Sequence, residues 1–150
     1  MGADLYIKSL HDASQAKYRP LFEAACAERD KHDRDSLEAK AAQKDVREYC
    51  ELMHGAGYFR DSYNSTSIMW RYGLSWGQSD GLIDEEGMMS PTSAKALLEM
   101  LESYNMKEVT AEEFPDDLEG WRSYFETKAT LFKNFLRRAI ELNEPIVCSC

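Results

Sequence analysis

Histidine, proline and cysteine are scarce in this chain, with three, four and four copies in 150 residues. Three histidines leave little for a metal centre built on imidazole. Glu51 and His54 stand three apart, the helix spacing of di-iron carboxylate bundles, but those sites need a second such pair and two further glutamates. His32 follows Glu28 by four, and His11 has no acidic residue three before it. The second pair is missing, so His54 reads as a helix C-terminal residue that suits the dipole. No metal and no cofactor are expected.

Four cysteines are too few for a disulfide scaffold, so the thiols are expected to be reduced and the chain cytoplasmic. Cys148 and Cys150 are spaced too tightly for the usual structural zinc pattern and lack a second pair. They read as a tail, and Cys26 and Cys50 as small apolar residues on helical stripes. No apolar run approaches the roughly 20 residues of a membrane span. The start, MGADLYIKSLHD, lacks an apolar core of signal-peptide length, and Tyr6 stands where a myristoylation motif needs Ser or Thr.

Positive charge is also in deficit. Eighteen Lys and Arg against 27 Asp and Glu leave a net charge of −9. Phosphate contacts need clustered basic residues, which argues against direct nucleic-acid binding and against an anionic membrane surface. There is no phosphate-cradling Gly-Lys loop, no nucleophile elbow and no dinucleotide or kinase signature. The segment Asp80–Gly87 is acidic and glycine-containing, but its glycine misses the sixth position of a calcium loop, so it reads as surface loop.

What the chain does have is helical periodicity. Tyr18, Leu21, Phe22 and Ala25 form one stripe, and Ala42, Val46, Tyr49 and Met53 the next. Between them, residues 29–36 are wholly polar. A helical hairpin and one continuous helix both fit, and the absence of Gly and Pro there favours the continuous helix. His54-Gly55-Ala56-Gly57 is a helix stop. Ser90-Pro91 opens a helix buried through Ala94, Leu97, Leu98, Leu101 and Tyr104. Thr110 and Glu113 have capping-box spacing before Phe114-Pro115 interrupts. Asp116 or Asp117 then caps the last helix, with Leu118, Trp121, Phe125, Ala129, Phe132, Leu136 and Ala139 on one face. Asp4–Ser9 and Pro145–Cys150 have strand character and could pair. The expected fold is mainly α: one domain, an irregular bundle of about four helices, with a short two-stranded ribbon joining the termini.

The densest chemistry lies in Gly57–Trp76, GYFRDSYNSTSIMWRYGLSW, which holds six of the chain's seventeen aromatic residues. Rings and polar groups so mixed form either a hydrogen-bonded core element or the wall of a site. The candidate binding residues are Tyr58, Arg60, Asp61, Tyr63, Asn64, Trp70, Arg71 and Trp76. Ser65 or Thr66 reads as a helix N-cap within the segment.

The leading expectation is a non-catalytic domain that binds another protein of unspecified identity. Its surface would be this segment with the Gly73–Gly87 loop, because Trp, Tyr and Arg dominate interface energy. The alternative is a small-molecule site or enzyme, with the arginines holding an anion and Asp61 acting as base if burial raises its pKa. A third reading is an acidic inhibitor that mimics nucleic acid. It rests on Glu99, Glu102, Glu108, Glu112, Glu113, Asp116, Asp117 and Glu119, although these also fit solvated faces and helix starts.

Overall fold

A computed structural model describes residues 2–77 and 81–150. Helix dominates among them, with short strands. In chain order the elements are β1 (Gly2–Ile7), α1 (Lys8–Asp30), α2 (Leu37–His54), a 3-10 turn (Gly55–Gly57), β2 (Tyr58–Ser62), α3 (Ile68–Arg71), β3 (Met88–Met89), α4 (Pro91–Ser103), α5 (Leu118–Leu142) and β4 (Ile146–Ser149). No described helix is long and apolar enough to cross a membrane. The contacts divide the chain into two compact units, Lys8–Tyr58 and Met1–Ile7 with Phe59–Cys150.

The Lys8–Tyr58 unit is a helical hairpin, not the continuous helix that the lack of Gly and Pro favours. Its polar tip has no apolar face to bury, and its short side chains bond the backbone instead. The Ser36 amide donates to the Asp33 carbonyl at 2.9 Å, and the Ser36 hydroxyl donates to the same oxygen at 2.7 Å. That hydroxyl also accepts from the Ala39 amide at 3.1 Å, which makes Ser36 the N-cap of α2. The buried face of α2 is small: Ala39, Ala42, Val46 and Met53. On α1 only Ala25 is fully buried, and Leu21 is 45% exposed, so the expected stripe lies one step round the helix from Leu21. The helix stop at Gly55 has φ +58°, and a Cβ there would run into the Ser14 hydroxyl of α1.

The second unit is organised around a four-stranded sheet of order β2-β1-β4-β3. The two terminal strands pair, antiparallel, from Asp4 opposite Ser149 to Ile7 opposite Ile146. They are the centre of the sheet rather than a separate ribbon. In β1, Ala3, Leu5 and Ile7 are buried and alternate with partly exposed Asp4 and Tyr6, the period of a sheet with one covered face. Phe59 of β2 stacks on Phe132 of α5, ring centres 4.6 Å apart. The buried face of α5 comprises Phe125, Lys128, Ala129, Phe132, Phe135, Leu136 and Ala139.

Ser90 caps α4 by accepting from the Ser93 amide, with Pro91 at the first helical position. Tyr104 falls beyond the last turn of α4, on extended backbone, and is half exposed rather than buried. Thr110 and Glu113 form a single turn that no helix continues, and Asp117 rather than Asp116 caps α5 through the Gly120 amide at 3.0 Å.

Candidate functional site

The segment Phe59–Trp76 turns out to be both core element and wall. Asp61 divides the two roles. It sits on β2, 1% exposed, and five donors surround its carboxylate. Oδ1 takes the Ile68 amide at 2.9 Å and the Lys128 ammonium at 2.7 Å. Oδ2 takes the Ser67 hydroxyl at 2.8 Å, the Met69 amide at 3.3 Å and the Trp76 indole N–H at 2.7 Å. Lys128 is satisfied in turn, since it also donates to the Thr66 carbonyl at 3.0 Å and the Tyr124 hydroxyl at 3.2 Å. Asp61 thus ties β2, the start of α3, Trp76 and α5 together. The N-cap of α3 is Ser67, not Ser65 or Thr66.

Desolvation by itself pushes the Asp61 carboxyl up. The bonds from Lys128, Ile68 and Trp76, with the Lys128 charge, outweigh it and hold the group below its ordinary value. The condition under which Asp61 would act as a base, a raised pKa, is therefore not met. Its lone pairs are already engaged.

A hollow of about 400 Å³ opens above this junction. Tyr63, Asn64, Trp70 and Trp76 line it, with Ser62, Ser65, Ser67, Leu74 and Ser75. Tyr63 (47%) and Trp70 (46%) are exposed at the rim, and Trp76 is anchored to Asp61 beneath and tilted against Phe132 at 5.7 Å. Lys107 lies 4.3 Å from the centre of the Trp70 ring. Asn64 turns the rim loop by accepting from the Thr66 amide (2.9 Å) and hydroxyl (2.6 Å). The lining is thus aromatic and hydroxyl-bearing.

Four of the eight sequence candidates meet at this hollow. The other four do not. Tyr58 belongs to the hairpin unit, where it stacks on His54 at 4.2 Å. Arg60 points along the sheet to Asp4 at 3.7 Å. Asp61 is the support underneath. Arg71 is wholly buried: it bonds Glu113 at 3.1 Å and the Glu108 carbonyl at 3.3 Å, and lies 4.4 Å from the Phe125 ring centre. The arginines are therefore not set to clamp an anion in this hollow. The Arg71 bond, offset by desolvation, holds the Glu113 carboxyl below its ordinary value.

Sequence reasoning missed Lys128. A signal was present, since it falls between Phe125 and Phe132 on the buried face of α5, where a lysine needs an anion partner. The serines of the lining carried no such mark.

The remaining candidates resolve locally. In the acidic stretch, Glu102 pairs with Arg137, Glu108 and Glu119 with Arg122, and Glu113 with Arg71 and Lys107. Asp80, Ser79 and part of the Gly73–Gly87 loop lie outside the described residues. Asp84 there accepts from the amides of Glu86 and Met88, closing a turn. Among the described residues no group of three or more His, Cys, Asp or Glu side chains could hold a metal ion. All four cysteines are free, and burial pushes the Cys148 thiol up to about 12 with help from Cys150 and Asp84. Comparison with protein-family models, curated proteins and solved structures returned no match.

Proposed function

We propose that this chain is a cytoplasmic, non-catalytic binding domain that captures a partner protein at the hollow walled by Tyr63, Trp70 and Trp76. The observation that carries this reading is the exposure of Tyr63 and Trp70 on a rim whose floor is held rigid by Asp61. Exposed Trp and Tyr on a fixed support are the residues that concentrate interface energy. The wide mouth suits a side chain inserted from a larger surface, because a small ligand is held by burying most of its own area. A cytoplasmic setting is supported by the four free cysteines.

A second reading, a small uncharged ligand, is favoured by the volume of about 400 Å³ and the serine-rich lining. Native mass spectrometry of the protein from its own source, after photocrosslinking from position 63, separates the two. An added protein mass that Trp70→Ala abolishes supports the proposal. A small added mass lost in the same variant supports the second reading. A bare chain after crosslinking overturns both.

A further inference from the structure

Another hollow lies in the helical hairpin, and its chemistry is opposite to that of the first. Its volume is about 910 Å³, and it is lined by the end of α1, the α1–α2 turn and the first half of α2. Five Lys and Arg side chains line it, Arg29, Arg34, Lys40, Lys44 and Arg47, against two carboxylates, Asp30 and Asp33. Asp30 is already engaged by Arg29 at 2.8 Å, with Arg34 acting on it as well. Lys40, Lys44 and Arg47 follow one another at four and three residues, on one face of α2, and make no ion pair among the described residues. Elsewhere the chain pairs its cations readily, as in Lys8–Asp12, Arg122–Glu119 and Arg137–Glu102.

Like charges at this spacing destabilise a helix by a few tenths of a kcal/mol per pair, and Glu48 and Glu51, four residues after Lys44 and Arg47, offset part of this without closing an ion pair. A stripe of three that stays unpaired and lines a concave space is an arrangement that an anion would relieve. A net charge of −9 works against a long polyanion, whose length would extend over the rest of the acidic chain. The hollow itself is of the size that takes small ligands, roughly 300–1,000 Å³. Arginine forks and lysine ammonium groups together match phosphate oxygens.

We infer that the hairpin hollow binds a small, multiply charged phosphate compound through Lys40, Lys44 and Arg47, with Arg34 also in its lining. A linear inorganic phosphate chain and the phosphate tail of a nucleotide present the same chemistry. Isothermal titration of the full chain with tripolyphosphate and with ATP, at matched ionic strength, tests the proposal. Binding is expected for both if the phosphates alone are read, and tighter for ATP if the nucleoside adds contacts. The double variant K40Q/K44Q should weaken it roughly tenfold or more, because two charge-assisted bonds are removed. R47Q, which leaves the first turns of α2 untouched, should weaken it independently should the double variant lose helicity. Lys17→Gln, on the same unit but outside the hollow, should leave affinity unchanged. No heat with either compound, affinity untouched by the α2 variants, or an equal loss in K17Q would each overturn the proposal.

Discussion

The two units handle charge in opposite ways. The hairpin, Lys8–Tyr58, carries nine Lys and Arg against ten Asp and Glu, and ion pairs such as Lys8–Asp12 and Lys31–Glu28 are short-range and solvent-facing. The sheet unit carries nine against seventeen, yet it buries Asp61, Lys128 and Arg71 completely or nearly so. Exposed pairs contribute little, because water solvates both partners whether or not they meet. Buried ones become indispensable once present, because neither partner can be removed without leaving the other desolvated. For stability, charge therefore matters little in the hairpin and organises the sheet unit.

That contrast can be broken most severely at Asp61. Asp61→Ala strands the Lys128 ammonium in the core and frees the amides of Ile68 and Met69, and it should cost about 3–5 kcal/mol in urea unfolding. Adding Lys128→Met should recover a large part of that loss, since the apolar stem refills the site without a charge. If the double variant is as unstable as the single, the ion pair is not what Asp61 supplies.

The same group sets an acid limb. Its folded pKa is depressed, so its contribution is fully present above the ordinary carboxylate value of about 3.9 and is lost as pH falls through the lower folded value. Urea midpoints followed downward from about pH 6 should fall steeply in the native chain. In Asp61→Asn, already weaker at neutral pH, that limb should flatten.

In the hairpin a helix cap outweighs a surface charge. Ser36→Ala should cost about 1 kcal/mol by freeing the Ala39 amide at the start of α2. Smallest of all, Lys8→Gln should leave the thermal midpoint of the protein unchanged within error, although it removes a 2.7 Å ion pair. A clear loss there would mean that surface charge matters in the hairpin too, and the contrast would fail.

The parts of the fold that were legible are those governed by one local rule. Ser90-Pro91, the Asp116-Asp117 pair and Gly55 announce helix ends, and the stripe from Phe125 to Ala139 announces a buried face. The pairing of the two terminal strands follows from their matching character. The hairpin turn was not legible, because the Ser36 amide and hydroxyl make it by donating to the Asp33 carbonyl, in place of Gly or Pro. Nor was β2, whose strand character is hidden in a run of Arg, Asp and Ser. At the candidate site, the density of aromatic residues marked the segment that contributes Tyr63, Trp70 and Trp76 to the hollow. Which residues reach the hollow depends on partners distant in sequence: Lys128 draws Asp61 inward, and Glu113 with Phe125 draws in Arg71. No spacing within the segment encodes those partners.

The central pairing of β1 with β4 also constrains how the chain is made. On the ribosome β1 is made before, and β4 after, all the other described elements, so the edge of β1 that β4 will pair stays open throughout. The hairpin contacts between α1 and α2 are local and can form during that wait, whereas sheet closure must bridge most of the chain. An exposed edge of that kind is where a growing chain pairs with the wrong neighbour. The native register is secured by the arrival of Ile146–Ser149.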